Sequence, residues 1–230
     1  MTTDVRKTEA EQLLPRDIPP EYYDFSFYVS KERMITYWHQ VNEILQKGPE
    51  RILEVGLGNG IVSGILGSRG VTCVTADINE SLRPDVVVPV TELDSRFSPG
   101  EFPLVLCARV LQHLPFAQFD QALSQLRFVT SAHALLTLPV ETLRLYARFR
   151  VTGGRPITLS MPFPLALKRL LQRVLRTEVQ TSTQNFWKVN QTREVSMASV
   201  RRIIERHFHI EKAYQVTEDM SHALFVLRRR

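Results

Sequence analysis

Apolar positions along this chain alternate between short continuous runs and stripes at helical spacing. Runs at 52–55, 71–77, 85–88, 103–107 and 133–138 are rich in Val, Leu and Ile, the pattern of strands buried on both faces. Stripes at 31–47, 60–69, 116–130 and 195–207 predict helices between or after them, and two more strands are expected near 208–216 and 222–228. Strands alternating with helices imply an α/β fold with a doubly wound, mostly parallel sheet. The helix at 31–47 follows Ser30, a good N-cap, and stops at Gly48-Pro49. Met34, Trp38, Val41, Ile44 and Leu45 are expected to share its inner face.

Two segments stand outside this rhythm. Residues 1–20 are polar, carry prolines at 15, 19 and 20, and are expected to be loose. Residues 140–193 contain Gly153-Gly154, Pro156, Pro162 and Pro164, then a stretch in which Phe163, Leu167, Leu170, Leu171 and Val174 oppose Lys168, Arg169 and Arg173. The chain therefore divides into an N-terminal arm and helix (1–48), a glycine-loop half (49–139), a basic insertion (140–193) and a closing helix with two strands of the same domain (194–230).

The richest chemistry lies at Arg51-Ile-Leu-Glu-Val-Gly-Leu-Gly-Asn-Gly60. An apolar strand carrying Glu54 breaks into Gly56, Leu57, Gly58 and Gly60, then runs into a helix. Glycines serve where the backbone turns at unusual dihedrals and approaches a ligand closely. A dinucleotide loop needs a third glycine at 61 or 63, but Ile and Ser stand there. About 20 residues on, the next strand ends in Asp77, at the spacing where nucleotide-binding folds place a carboxylate on ribose hydroxyls. Capping of the following turn is the competing role for Asp77.

This arrangement resembles the first motif of class I S-adenosylmethionine-dependent methyltransferases, and three later segments resemble theirs in the same order: Val71 to Asp77, Phe102 to Pro115 with Leu-Gln-His-Leu-Pro at 111–115, and Ala132 to Pro139. The chain is similar to small bacterial methyltransferases related to the quinone-biosynthesis type. The resemblance implies a seven-stranded Rossmann-like sheet with an antiparallel final strand, S-adenosylmethionine as cofactor, and a lid formed by the segment before the first strand. It implies cofactor contacts at Glu54, Gly56, Leu57, Gly58, Gly60, Asp77, Ile78 and Thr91. Tyr22, Tyr23 and Tyr28 either touch cofactor or substrate or anchor the arm. His113 is the candidate base, with a structural role in its turn as the alternative. Gln112, Phe186 and Trp187 are candidate acceptor walls, with core packing the alternative for the aromatic pair.

Three residues depart from the family pattern. Gln112 replaces a common Glu and cannot act as a base. Pro89 stands where an acid often meets adenine, leaving that contact to Val90, Thr91 or Glu92. Arg109 follows the fourth strand where a neutral or acidic residue is usual; its planar fork suits the cofactor carboxylate or an anionic acceptor, with a surface ion pair as the alternative.

Composition narrows the classes. The chain has 230 residues, 43% hydrophobic, enough for one domain with a sizeable core. No run of 18 apolar residues occurs and the N-terminus is polar, so a membrane span or secretory signal is not expected and a cytoplasmic location is. Cys73 and Cys107 sit in predicted interior strands, without a further Cys or His at ligand spacing, so no metal is expected. The net charge of +5 is uneven: Arg144, Arg148, Arg150, Arg155, Lys168, Arg169, Arg173 and Arg176 lie in a block without acids. Such a block is a solvated face, or it attracts an anionic surface or nucleic acid. The leading expectation is methyl transfer to a small-molecule or lipid-like acceptor. Nucleic-acid or protein methylation and a non-catalytic cofactor-binding scaffold are the alternatives.

Overall fold

The alternation of strand runs and helical stripes builds a layered sheet. The structure is a computed structural model; it describes residues 13–142, 144–149, 152, 154, 157–164 and 185–230. Strands β1 (Arg51–Val55), β2 (Thr72–Asp77), β3 (Val86–Val87), β4 (Phe102–Ala108), β5 (Thr130–Pro139), β8 (Phe208–Gln215) and β9 (His222–Arg229) form one sheet in the order β3-β2-β1-β4-β5-β9-β8. Two strands precede β8 in the chain: β6 (Arg144–Phe149) and β7 (Ile157–Pro162) pair separately as an antiparallel ribbon. The pairs among β1 to β5 are parallel, and β9 runs antiparallel to β5 and β8. The final strand is thus the antiparallel one, as the resemblance implied.

Side chains alternate across each strand, so every central strand feeds two cores. On one face, Leu53, Val55, Val105 and Cys107 meet α4 (Phe119–Val129) and α5 (Met197–His207) through Phe119, Leu123, Leu126, Val200 and Ile204. On the other, Ile52, Leu104 and Leu106 meet α2 (Lys31–Lys47) and α3 (Ile61–Ser68) through Tyr37, Ile44, Val62 and Leu66. Ahead of α2, a single turn, α1, spans Phe25–Tyr28.

Helix α2 begins and ends as its sequence dictates. The Ser30 hydroxyl accepts from the Arg33 amide at 3.2 Å, and Gly48 closes the helix in the left-handed region at φ 62°. Its inner face differs from expectation. Tyr37, Val41 and Ile44 face inward with Thr36, Gln40 and Glu43, while Trp38 is 60% exposed and Leu45 is exposed too. The helix turns toward the sheet because its polar groups find partners there: Gln40 donates to Thr137, and Glu43 receives Lys212 and the Tyr214 hydroxyl. Apolar periodicity alone does not register such pairs.

Of the arm expected to be loose, residues 1–12 lie outside the described residues, and within 13–20 Ile18 is buried. The buried Asn79 side chain donates to the carbonyls of Ile18 at 2.7 Å and Pro15 at 3.3 Å. In the insertion, the predicted amphipathic stretch beyond Pro164 and the basic residues at 150, 155 and 168–176 lie outside the described residues. Within the ribbon, Phe149, Leu159 and Met161 are exposed. No helix among the described residues is long and apolar enough to cross a membrane.

Candidate functional site

The carboxyl edge of the parallel strands is where open α/β sheets bind ligands. There β1 ends and the chain turns through Gly56, Gly58 and Gly60, at φ 85°, 53° and 64°. A Cβ on Gly56 would lie 2.2 Å from Val110 Cγ2, so the residues after β4 press directly on the loop. Only glycine fits both that contact and that dihedral. A cavity of about 530 Å³ opens beside the loop, lined by Leu57, Gly58, Asn59 and Gly60, by Ser81, Leu82 and Arg83, and by the arm residues Pro20, Glu21, Tyr23 and Asp24.

Glu54 lies one strand position before the loop, buried on the α3 side of β1. Burial pushes its carboxyl up to about 7, against the lowering effect of hydrogen bonds from Ser63. Its Oε2 has no hydrogen-bond partner among the described residues. A buried acceptor without a donor costs about 1–3 kcal/mol, more when charged. Glu54 is therefore a group waiting for a cationic or donor partner.

Asp77, at the end of β2, ties the loop in place. Its Oδ2 accepts the Leu57 amide and its Oδ1 accepts the Asn79 amide, each at 2.8 Å. Burial raises its pKa, and the loop and turn amides work against that rise. The turn-capping role is therefore real, and the amides of Leu57, Gly58, Ile78 and Asn79 all act on this carboxylate. Ile78 is exposed beside it, and Thr91 is half-buried in the turn after Pro89.

The arm covers this region. Tyr23 ring carbons come to 3.8 Å of the Cβ position at Gly58. Tyr22, Tyr23, Phe27 and Tyr28 pack edge to face around one another, so anchoring and covering are done by the same cluster. Burial raises the Tyr23 hydroxyl well above its usual range, keeping it a neutral donor.

The segment after β4 holds the remaining candidates. Gln112 is buried, and its Nε2 donates to the Arg109 carbonyl at 2.6 Å and lies 3.2 Å from His113 Nε2. With Gln112 donating, a neutral His113 accepts at Nε2 and carries its proton on Nδ1. Gln112 Oε1 is buried and unpartnered among the described residues. Phe186 is exposed, its amide bound to the Gln112 carbonyl. Trp187 has the core packing expected as the alternative to an acceptor wall: it is buried against Phe116 and Phe119 and donates Nε1 to the Leu114 carbonyl at 2.9 Å. Its hydrogen bond and its aromatic neighbours hold it in the core. Arg109 lies outside the lining of the glycine-loop cavity and is instead in the electrostatic reach of Tyr28, Arg33, Tyr37 and Asp219.

Sequence reasoning missed Asn79, Arg83 and Arg33. Asn79 announces itself only as a turn residue after a strand, and Arg83 only by its left-handed φ of 55°. Arg33 draws notice only as a non-acid in a capping position. Among the described residues no cluster of His, Cys, Asp and Glu is arranged to hold a metal ion.

No protein-family model matches this chain, and no curated protein matches it. Solved structures do. Magnesium protoporphyrin IX methyltransferase from Synechocystis PCC 6803, solved with bound SAH, is 16% identical over 86% of this chain and 84% of its own, with a TM-score of 0.59. The N-methyltransferase NodS from Bradyrhizobium japonicum WM9, in complex with S-adenosyl-L-homocysteine, is 11% identical over 97% and 98% of the two chains, with a TM-score of 0.59. The 1,6-didemethyltoxoflavin-N1-methyltransferase of Burkholderia thailandensis, with its substrate and S-adenosylhomocysteine bound, is 12% identical over 85% and 77%, with a TM-score of 0.53. At this identity the likeness establishes the fold: this chain has the Rossmann-like methyltransferase fold.

Proposed function

We propose that the chain is an S-adenosylmethionine-dependent methyltransferase acting on a small-molecule or lipid-like acceptor. One observation carries the reading: a buried carboxyl with an unpartnered acceptor, Glu54 Oε2, lies two residues before the first of three left-handed glycines. The cofactor's α-ammonium is the complementary group. A pyrophosphate is not, because Glu54 would repel it. The residues present therefore fit this cofactor and disfavour a dinucleotide.

In this reading Glu54 receives the ammonium and the Asp77 carboxylate receives the ribose hydroxyls. Ile78, Thr91, Leu82 and Arg83 surround the adenosine, and Tyr23 keeps water from the loop. The bound cofactor supplies an electrophilic methyl on a good leaving group. The chain's task is to hold a nucleophile in line with it at short range. For His113 to take a proton from an acceptor that must lose it, Nε2 first gives up the Gln112 amide bond. The likeness to solved methyltransferases with differing acceptors supports the reaction class, and the exposed apolar ribbon supports an acceptor with apolar character. The quinone-related subtype and a cytoplasmic setting, with peripheral contact to an anionic surface through 144–176, belong to the same proposal. The acid-free basic block favours polynucleotide as a second acceptor class, whose sign is binding that falls steeply with salt.

Calorimetry with S-adenosylhomocysteine tests the cofactor. Incubation with methyl-labelled cofactor and fractionated extract then tests transfer. Binding together with label in a small-molecule or lipid fraction supports the proposal; binding with no label in any fraction leaves the scaffold reading standing.

A further inference from the structure

A second, smaller cavity of about 160 Å³ opens among Ser30, Glu32, Arg33, Arg109, Asp219 and Ser221. It shares no lining residue with the glycine-loop cavity. Its walls come from the start of α2, the residue after β4 and the turn entering β9. The cofactor reading places the nucleoside over β1, β2 and β3, so β4, β5 and β9 form the side from which an acceptor must approach.

The lining carries two cations, Arg33 and Arg109, and two anions, Glu32 and Asp219, but the anions are already engaged or solvated. Asp219 is fully engaged: it accepts from Thr36 Oγ1 at 3.0 Å and from the Ser221 hydroxyl, and faces His222 Nδ1 at 3.4 Å. Burial opposes its ionisation, but these bonds and the Arg109 charge hold its carboxyl below the usual range. His222 is pushed down to about 4 by burial and by Arg109, so it adds no positive charge near neutrality. Glu32 stands solvated at the rim.

Arg109 makes no side-chain hydrogen bond or ion pair among the described residues, although burial and the nearby Arg33 charge depress its pKa. Its backbone is held in the left-handed region at φ 61°, a conformation that costs a non-glycine residue about 1 kcal/mol or more. Arg33 lies over the Tyr28 ring at 3.7 Å, with Nη1 buried and unpartnered among the described residues. Two half-buried guanidinium groups surround this space: Arg33, with a buried unpartnered Nη1, and Arg109, on a strained backbone and without a side-chain hydrogen bond among the described residues. Guanidinium forks bind carboxylate and phosphate groups in bidentate fashion.

We infer that the methyl acceptor is an anionic small molecule, and that Arg33 and Arg109 bind its carboxylate or phosphate. The inference rests on the proposed methyl transfer. The pair positions the acceptor beyond the methyl group, while the aromatic arm that carries Tyr28 orders one of its two cations.

The test titrates inorganic phosphate, and separately acetate, into protein saturated with S-adenosylhomocysteine, following the arginine Nε–H signals by NMR. Saturable shifts of the Arg33 and Arg109 signals are expected at roughly millimolar anion. Arg109→Gln should abolish the Arg33 shift, and Arg33→Gln the Arg109 shift, with S-adenosylhomocysteine affinity changed by no more than about threefold. No shift in the wild-type protein would overturn the inference. So would anions that compete with S-adenosylhomocysteine together with an affinity loss of about tenfold or more in Arg109→Gln, which would assign the pair to the cofactor's own carboxylate. If the wild-type protein does not bind S-adenosylhomocysteine, the methyltransferase reading fails instead, and the titration of the protein alone still reads the anion site.

Discussion

The two cavities at the carboxyl edge of this sheet are built by opposite means. The glycine-loop side uses backbone: three left-handed glycines, amides tied to Asp77, and one buried acid with an open oxygen. The β4–β9 side uses charged side chains from residues 33, 109 and 219 on a scaffold of bonds to Asp219. The first vacancy calls for a cation and the second for an anion. A zwitterionic amino-acid cofactor carries both charges; the proposal gives its ammonium to Glu54 and the Arg33–Arg109 pair to the acceptor. In the proposed reading, local geometry sets the reaction and long-range assembly sets the acceptor.

The sharpest way to break the glycine-loop side is Gly56→Ala. The left-handed dihedral and the contact with Val110 together should cost roughly 2–5 kcal/mol and abolish S-adenosylhomocysteine binding, read by thermal unfolding and calorimetry. Adding Val110→Ala should return the clash portion and leave the dihedral portion; a double variant no more stable than the single one would mean the two segments do not press on each other.

Glu54→Gln separates stability from binding. The folded carboxyl titrates near 7, above its ordinary 4.5, so folding favours the protonated form. The associated stability is complete below about 4.5 and is lost as pH rises through about 7. Glutamine keeps the neutral shape, so the variant should be more stable than the wild type by about 3 kcal/mol at pH 8 and equal to it at pH 4, in denaturant unfolding. It should at the same time bind S-adenosylhomocysteine more weakly. Equal stability at pH 8 would show that Glu54 is not a strained acid.

Asp77→Asn should weaken cofactor binding by about 1.5–3 kcal/mol, the value of hydrogen bonds to a charged group. The phosphate response of Arg33 and Arg109 should stay intact, and a matching loss there would merge the two sites into one. Trp187→Phe is the control. Losing the bond to the Leu114 carbonyl should cost about 1 kcal/mol of stability and leave both cavities unaffected. A change in acceptor selectivity would return Trp187 to the acceptor wall.

The same contrast explains what could be read from the sequence. Glu54, the glycines and Asp77 lie within 24 positions on two adjacent strands, so their spacing alone fixes their geometry. The central strands β1, β4 and β5 were legible because runs of branched apolar residues need burial on both faces, whereas the edge strands β3 and β8 are largely exposed or half-buried. The inner face of α2 was not, because Gln40 and Glu43 are buried through partners roughly 100 and 170 residues away, at Thr137 and Lys212. Arg109 stood out as a departure from the family pattern, yet nothing in the sequence joined it to Arg33 or Asp219. That cluster exists only once α2, β4 and β9 meet. The separate β6–β7 ribbon was likewise hidden among prolines and glycines that suggested only irregular chain.

Calorimetric titration of S-adenosylhomocysteine across pH 5.5 to 8.5 bears most directly on the central claim that Glu54 and the glycine turn hold the cofactor's amino-acid end. Affinity should be flat above about pH 7 and fall toward tenfold per unit below it, as Glu54 must release its proton to receive the ammonium, and this dependence should vanish in Glu54→Gln. Absence of binding throughout, or binding by the wild-type protein that ignores pH over this range, would contradict it.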